Sequence, residues 1–180
     1  MRRVAFPAWG AVVLGAWVAA AAADAAGVPT RVQVRAISRD AKLIGDGVGG
    51  ARITMRDAQT GVLLKEGLQT GSSGDTERIM KTPHGRGAAL YDTPGAAGFL
   101  ATLLLERPTV VEITAEGPLG IPQATQKASK TLLLVPGQDI LGDGVVLEIH
   151  GFAVEIETPA GGSTAKAGGE LEVRAKVRMA

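Results

Sequence analysis

The chain has 180 residues, with 19 Lys and Arg against 18 Asp and Glu, a formal net charge of +1 and no cysteine. No basic block is available to track phosphates and aromatics make up only 3%, so a nucleic-acid partner is excluded as the expectation. Without cysteine there is no disulfide framework, and with so few rings the core must be built from Leu, Val, Ile and Ala.

In chain order, the first element is a targeting segment. Arg2 and Arg3 precede an uncharged apolar run from Val4 to Ala23, and small residues follow in "AAADAAG". This is the pattern of a secretory signal peptide over residues 1–25, with cleavage after Ala23 or Ala25. The competing reading is an uncleaved membrane anchor, since the run approaches bilayer-spanning length; Ala and Gly dilute its hydrophobicity and favour removal. No cysteine follows the run, which excludes a lipoprotein. The expected location is periplasmic or secreted, with a membrane association only if the segment is retained.

Strand signals dominate the remainder. "RVQVRAIS" (Arg31–Ser38) alternates, with Val32, Val34 and Ala36 on one face and Gln33 and Arg35 on the wet face. "ARITMRD" (Ala51–Asp57) repeats the pattern, "DAQTG" supplies a reversal, and "VLLKEG" returns. A helical turn is expected over Asp75–Lys81, with Asp75 as cap and Pro83 beyond its end. "FLATLLLE" (Phe99–Glu106) is more continuously apolar, as expected of a strand covered on both faces. "TVVEITAEG" (Thr109–Gly117), "KTLLLV" (Lys130–Val135) and "VVLEIHGFAVEIE" (Val145–Glu157) follow, the last as one long strand or two divided at Gly151. "ELEVRAKVR" (Glu170–Arg178) alternates most strictly, which sends Leu171, Val173, Ala175 and Val177 inward. Several short strands separated by Gly and Pro turns predict an all-β, antiparallel sandwich over residues 26–151, with a hairpin over 152–180.

"GDGV" occurs twice, at Gly45–Val48 and Gly142–Val145, each after an Ile/Leu pair. Asp-Gly suits a backbone turn with positive φ, so both copies are expected to mark corresponding strand starts. A calcium loop needs several clustered oxygen ligands, and neither Asp46 nor Asp143 has them nearby in sequence.

Two resemblances enter once the strands are placed. Gly45–Thr76, with Gly50, Ala51 and Ile53, the Thr60-Gly61 turn, Thr70 and Gly74-Asp75, resembles the carboxypeptidase regulatory-like, transthyretin-like β-sandwich modules. That likeness implies a noncatalytic accessory fold and carries no site residues. It stops where those modules continue into an aromatic-bearing strand and this chain has "TERIMKTPHGRGAALYDTPGAAG". Phe152–Met179 resembles the first two strands of a bacterial Ig-like domain. Two strands cannot bury a core alone, so the hairpin is expected to pack on the sandwich. The alternatives are a longer protein or a second chain that completes it.

The chemistry is sparse. "TGSSGDT" (Thr70–Thr76) lacks a histidine and is not a strand–helix nucleophile elbow. His84 and His150, alone or with Met55, Met80 or Met179, form a metal site only if folding unites them. The expectation is therefore no catalytic residue, no cofactor and no dedicated metal centre. The segment Arg78–Gly98 is long for a loop in a sandwich, and such loops carry binding. Arg78, Lys81, His84, Arg86 and Tyr91 are the candidate ligand-binding residues, suited to a partner bearing carboxylates. The expected function is an exported, noncatalytic interaction module for a protein or cell-envelope component, in an oligomeric state the pattern leaves open. The alternative is a periplasmic small-ligand or metal carrier using His and Met. A carbohydrate-binding accessory domain is disfavoured because Trp9 and Trp17 both fall in the signal segment.

Overall fold

The computed structural model describes residues 26–39 and 41–179, so the predicted signal peptide lies outside the described residues. The described chain is all-β apart from one short α-helix and two 3-10 turns. The strands are β1 (Val28–Ser38), β2 (Ala51–Asp57), β3 (Leu63–Gln69), β4 (Phe99–Leu105), β5 (Thr109–Gly117), β6 (Gln126–Leu134), β7 (Ile140–Ile149), β8 (Phe152–Thr158) and β9 (Arg174–Met179). The helix α1 (Thr76–Met80) follows β3. Among the described residues, no helix is long and apolar enough to cross a membrane.

Two sheets share one interior. β4-β1-β7 form the first, β3-β2-β5-β6 the second, and β8-β9 stand apart as a two-stranded sheet. Alternation produces this layering: Val32, Val34 and Ala36 of β1 meet Ile53 and Met55 of β2 and Val111, Ile113 and Ala115 of β5, all with no exposed surface. The interior is aliphatic with a single methionine, as the composition requires. The result is sandwich-like.

The β2–β3 reversal follows from its residues. Asp57 Oδ1 accepts N–H bonds from Gln59 (2.8 Å) and Thr60 (2.9 Å), and Gly61 takes φ 73°. Those two backbone bonds are the main reason the Asp57 carboxyl lies below its ordinary value of 3.8.

Several expectations are corrected. The pairing is antiparallel except between β1 and β7, which run parallel. β4 is not covered on both faces: it is an edge strand, and Leu100 and Leu104 are 55% and 70% exposed. Its apolar run reads as double burial because sequence hydrophobicity does not report which side lacks a neighbour. Arg35 is not on a wet face but is buried beneath the segment that follows α1. Of the two readings of Val145–Glu157, the structure has the second: two strands, divided at His150–Gly151.

The two "GDGV" copies are not equivalent. The first forms a 3-10 turn at Asp46–Val48, ended by Gly49 at φ 82°, ahead of β2. The second lies inside β7, where the register against β1 jumps from Val32↔Ile140 to Val34↔Val145. The extra residues bulge outward, with Gly142 at φ 71° and Gly144 at φ 68°. A Cβ at Gly144 would overlap the Gln33 carbonyl, so only glycine closes this bulge.

The C-terminal hairpin is corrected most. Leu171, Val173, Ala175 and Val177 are exposed rather than inward, and so are Phe152, Val154 and Ile156. Only Ala153 is buried, against Ile121 and Ala124.

Candidate functional site

The candidate site is an arm, residues 70–98, that leaves β3 and returns to β4. Its stem is stitched by backbone bonds: Ser72 N–H to Gly95 O (2.8 Å), Ala97 N–H to Ser72 O (2.9 Å) and Gly98 N–H to Thr70 O (3.1 Å). α1 forms at the start of the arm because Asp75 Oδ1 caps it, accepting from Arg78 N–H at 3.0 Å.

Two charged side chains fasten the returning half of the arm to the first sheet. From β1, Arg35 Nη1 donates to Ala97 O (2.7 Å) and Nη2 donates to Asp92 Oδ1 (3.2 Å). From the β7 bulge, Asp143 accepts three consecutive backbone N–H groups, those of Leu90 (2.7 Å), Tyr91 (2.7 Å) and Asp92 (2.9 Å). The second "GDGV" is thus a clamp: glycines on both sides push the aspartate out of the ladder to where the arm passes. The first copy also clips the arm, since Asp46 N–H donates to Gly71 O and Asp46 Oδ1 accepts from Gly71 N–H.

Between the arm and the end of the first sheet lies a cleft of about 330 Å³. Its apolar wall is Ile37, Ala41, Ile79 and Leu90, and its polar lining is His84, Tyr91 and Glu148, with Met80 beside them. Burial first, then the carboxylates of Asp143 and Glu148, raise the Tyr91 phenol above its ordinary value of 10.0. His84 Nδ1 lies 3.1 Å from Thr82 O; a carbonyl only accepts, so Nδ1 is the donor in this contact. Glu148 sits 3.4 Å from Arg39 Nε as an exposed ion pair.

Of the five sequence-predicted residues, the cleft unites His84 and Tyr91. Arg78, Lys81 and Arg86 do not line it; they are exposed on the outside of the arm, where Arg78 Nη2 donates to Ala89 O at 2.6 Å. The cleft is therefore less basic than the segment's composition suggests. His150 is exposed and does not line the cleft, and Met55 is in the core. Among the described residues, no three His, Asp or Glu side chains assemble as a metal-holding group.

A second hollow, about 450 Å³, lies by the stem between Lys42–Val48 and Gly71–Ser73. Here the first "GDGV" and the "TGSSG" run meet. Ser72 Oγ accepts from Gly74 N–H at 3.3 Å, a turn contact, and neither histidine lines the hollow.

Sequence reasoning missed Arg35, Asp143 and Glu148. Only Asp143 carried a local signal, its two flanking glycines. The fold and site together define an all-β, sandwich-like chain with a clamped arm over a mixed apolar–polar cleft. Compared with known proteins, the chain matches no family model, and no curated protein or solved structure shows significant similarity to it.

Proposed function

We infer that this chain is an exported, noncatalytic interaction module, a sandwich of Ig-like or transthyretin-like character over residues 26–151. It binds a protein or cell-envelope component through the arm. One observation supports this reading above the others: the arm is fixed at its return by Arg35 and Asp143, while Lys81–Ala89 are all exposed at its tip. A fixed base under an exposed tip limits the ordering cost of binding. The partner fitting this surface is an extended segment. It seats an apolar side chain among Ile37, Ile79 and Leu90 and presents carboxylates to Lys81 and Arg86.

The test is co-sedimentation of the purified chain with a cell-envelope fraction, against Tyr91→Ala and the charge-reversed pair Lys81→Glu, Arg86→Glu. Each variant is expected to lose binding by about tenfold or more; retention unchanged in both sinks the reading. Mass spectrometry of the chain recovered from the cell tests export separately, with processing after Ala23 or Ala25 as the expected result.

The carrier reading rests on one narrower observation: Met80 and His84 line the same cleft. Elemental analysis separates the two, since a metal carrier retains close to one equivalent and loses it in His84→Ala.

A further inference from the structure

The hairpin β8–β9 has two chemically distinct faces. Register pairs Val154 with Val177 and Ile156 with Ala175, and alternation adds Phe152 to the same side. On the opposite side stand Ala153, Glu155 and Glu157 of β8 with Lys176 and Arg178 of β9, where Arg178 Nη2 lies 3.6 Å from Glu155 Oε2. The hairpin touches the sandwich through this second side, by Ala153 against Ile121 and Ala124. The apolar side is thereby directed away from the chain's own core, leaving Phe152 at 64%, Val154 at 53%, Ile156 at 63% and Val177 at 59% exposure.

A two-stranded sheet with one apolar face is not stable in water by itself. We propose that the apolar face of β8–β9 closes on the same face of a second copy of this chain, making a two-fold dimer with a four-stranded miniature sandwich at its centre. Two features select a second copy. The face carries no charge along Phe152, Val154, Ile156, Ala175 and Val177, so it is complementary to itself, as a two-fold interface requires. With Leu171 and Val173 at its margin, it offers on the order of 600 Å² per copy, and two copies bury on the order of 1,200 Å², the lower bound of a specific interface.

Sedimentation equilibrium of the full chain, purified as the cell produces it, tests the proposal. The expected result is a monomer–dimer equilibrium with a dissociation constant in roughly the micromolar range. Ile156→Lys and Val177→Lys, on different strands of one face, each weaken it by about 100-fold, whereas Ile156→Leu and Leu104→Lys on the β4 edge leave it unchanged. Because Ile156 and Val177 are exposed in the single chain, neither lysine variant lowers the sandwich unfolding midpoint in urea when it is measured well below the dimer's dissociation constant. A monomer at every concentration overturns the proposal and gives the face to a different protein or a further segment. Loss of sandwich stability in the lysine variants overturns it in favour of the chain's own core. A dimer that dissociates only with Leu104→Lys overturns it in favour of edge pairing at β4.

Discussion

The β5 strand and the β9 strand are written almost alike, and they end in opposite environments. β5 places Val111, Ile113 and Ala115 on one side with Glu112, Thr114 and Glu116 on the other, and its apolar side has no exposed surface. β9 places Ala175 and Val177 on one side with Lys176 and Arg178 on the other, and all of them are exposed. Alternation therefore specifies which side of a strand seeks cover, not what supplies it. β5 has β2 and β6 as neighbours and β1 across the interior, while β9 has β8 alone.

The largest effect that tests this contrast is truncation in the interior. Ile113→Ala is expected to cost about 4 kcal/mol in urea unfolding, and Ile156→Ala on the hairpin less than about 0.5 kcal/mol. Similar costs at the two positions break the comparison, because they place the hairpin inside the cooperative core.

Gln69 comes next. This side chain is fully buried and stands in for a missing strand: its Oε1 accepts from Ala36 N–H (2.6 Å) and its Nε2 donates to Ala36 O and Ile44 O (both 2.8 Å). β1 pairs with β4 only as far as Val34, so beyond that point the amide continues the ladder. Gln69→Leu leaves Ala36 N–H and Ile44 O without these partners and is expected to cost about 3 kcal/mol by the same measurement. A neutral result shows that water or a shifted backbone satisfies these groups.

Asp143→Asn sharpens the comparison at the arm. It weakens the clamp on Leu90, Tyr91 and Asp92, and is expected to cost about 1–2 kcal/mol. Tryptic cleavage at Lys81 and Arg86 should accelerate with little change in circular dichroism. Unchanged cleavage shows that Arg35 holds the arm alone.

The smallest effect is a titration. Tyr91 is the sole tyrosine, so tyrosinate absorbance reports it alone. Its folded-state value is raised above 10.0, so the linked stability is complete below 10.0 and is lost as pH rises through the folded value. The phenol is expected to ionise above 10.0 in the folded chain and nearer 10.0 in Asp143→Asn. Ionisation at or below 10.0 in the folded wild type puts the ring in water and removes the cleft wall.

Much of the sandwich was legible in the sequence because β2 and β5 have one covered and one open side, as β1 does up to Gln33. Double burial was misread in β4, where Leu100 and Leu104 are exposed at a sheet edge. The arm was legible as a long connection, and His84 and Tyr91 with it. Arg35 and Asp143 were not, because their partners lie 51 to 62 residues away. Glu148 looked like any solvated strand carboxylate until α1 and the arm were laid across the sheet end.

The parallel pairing of β1 with β7 has a temporal consequence. β1 is the central strand of its sheet, and its second neighbour ends only at Ile149. A ribosome therefore delivers the middle of that layer first and one of its two flanks more than a hundred residues later. Until then Ala36, Ile37 and Ser38 wait without a ladder on that side, and this layer cannot close before Ile149 has emerged.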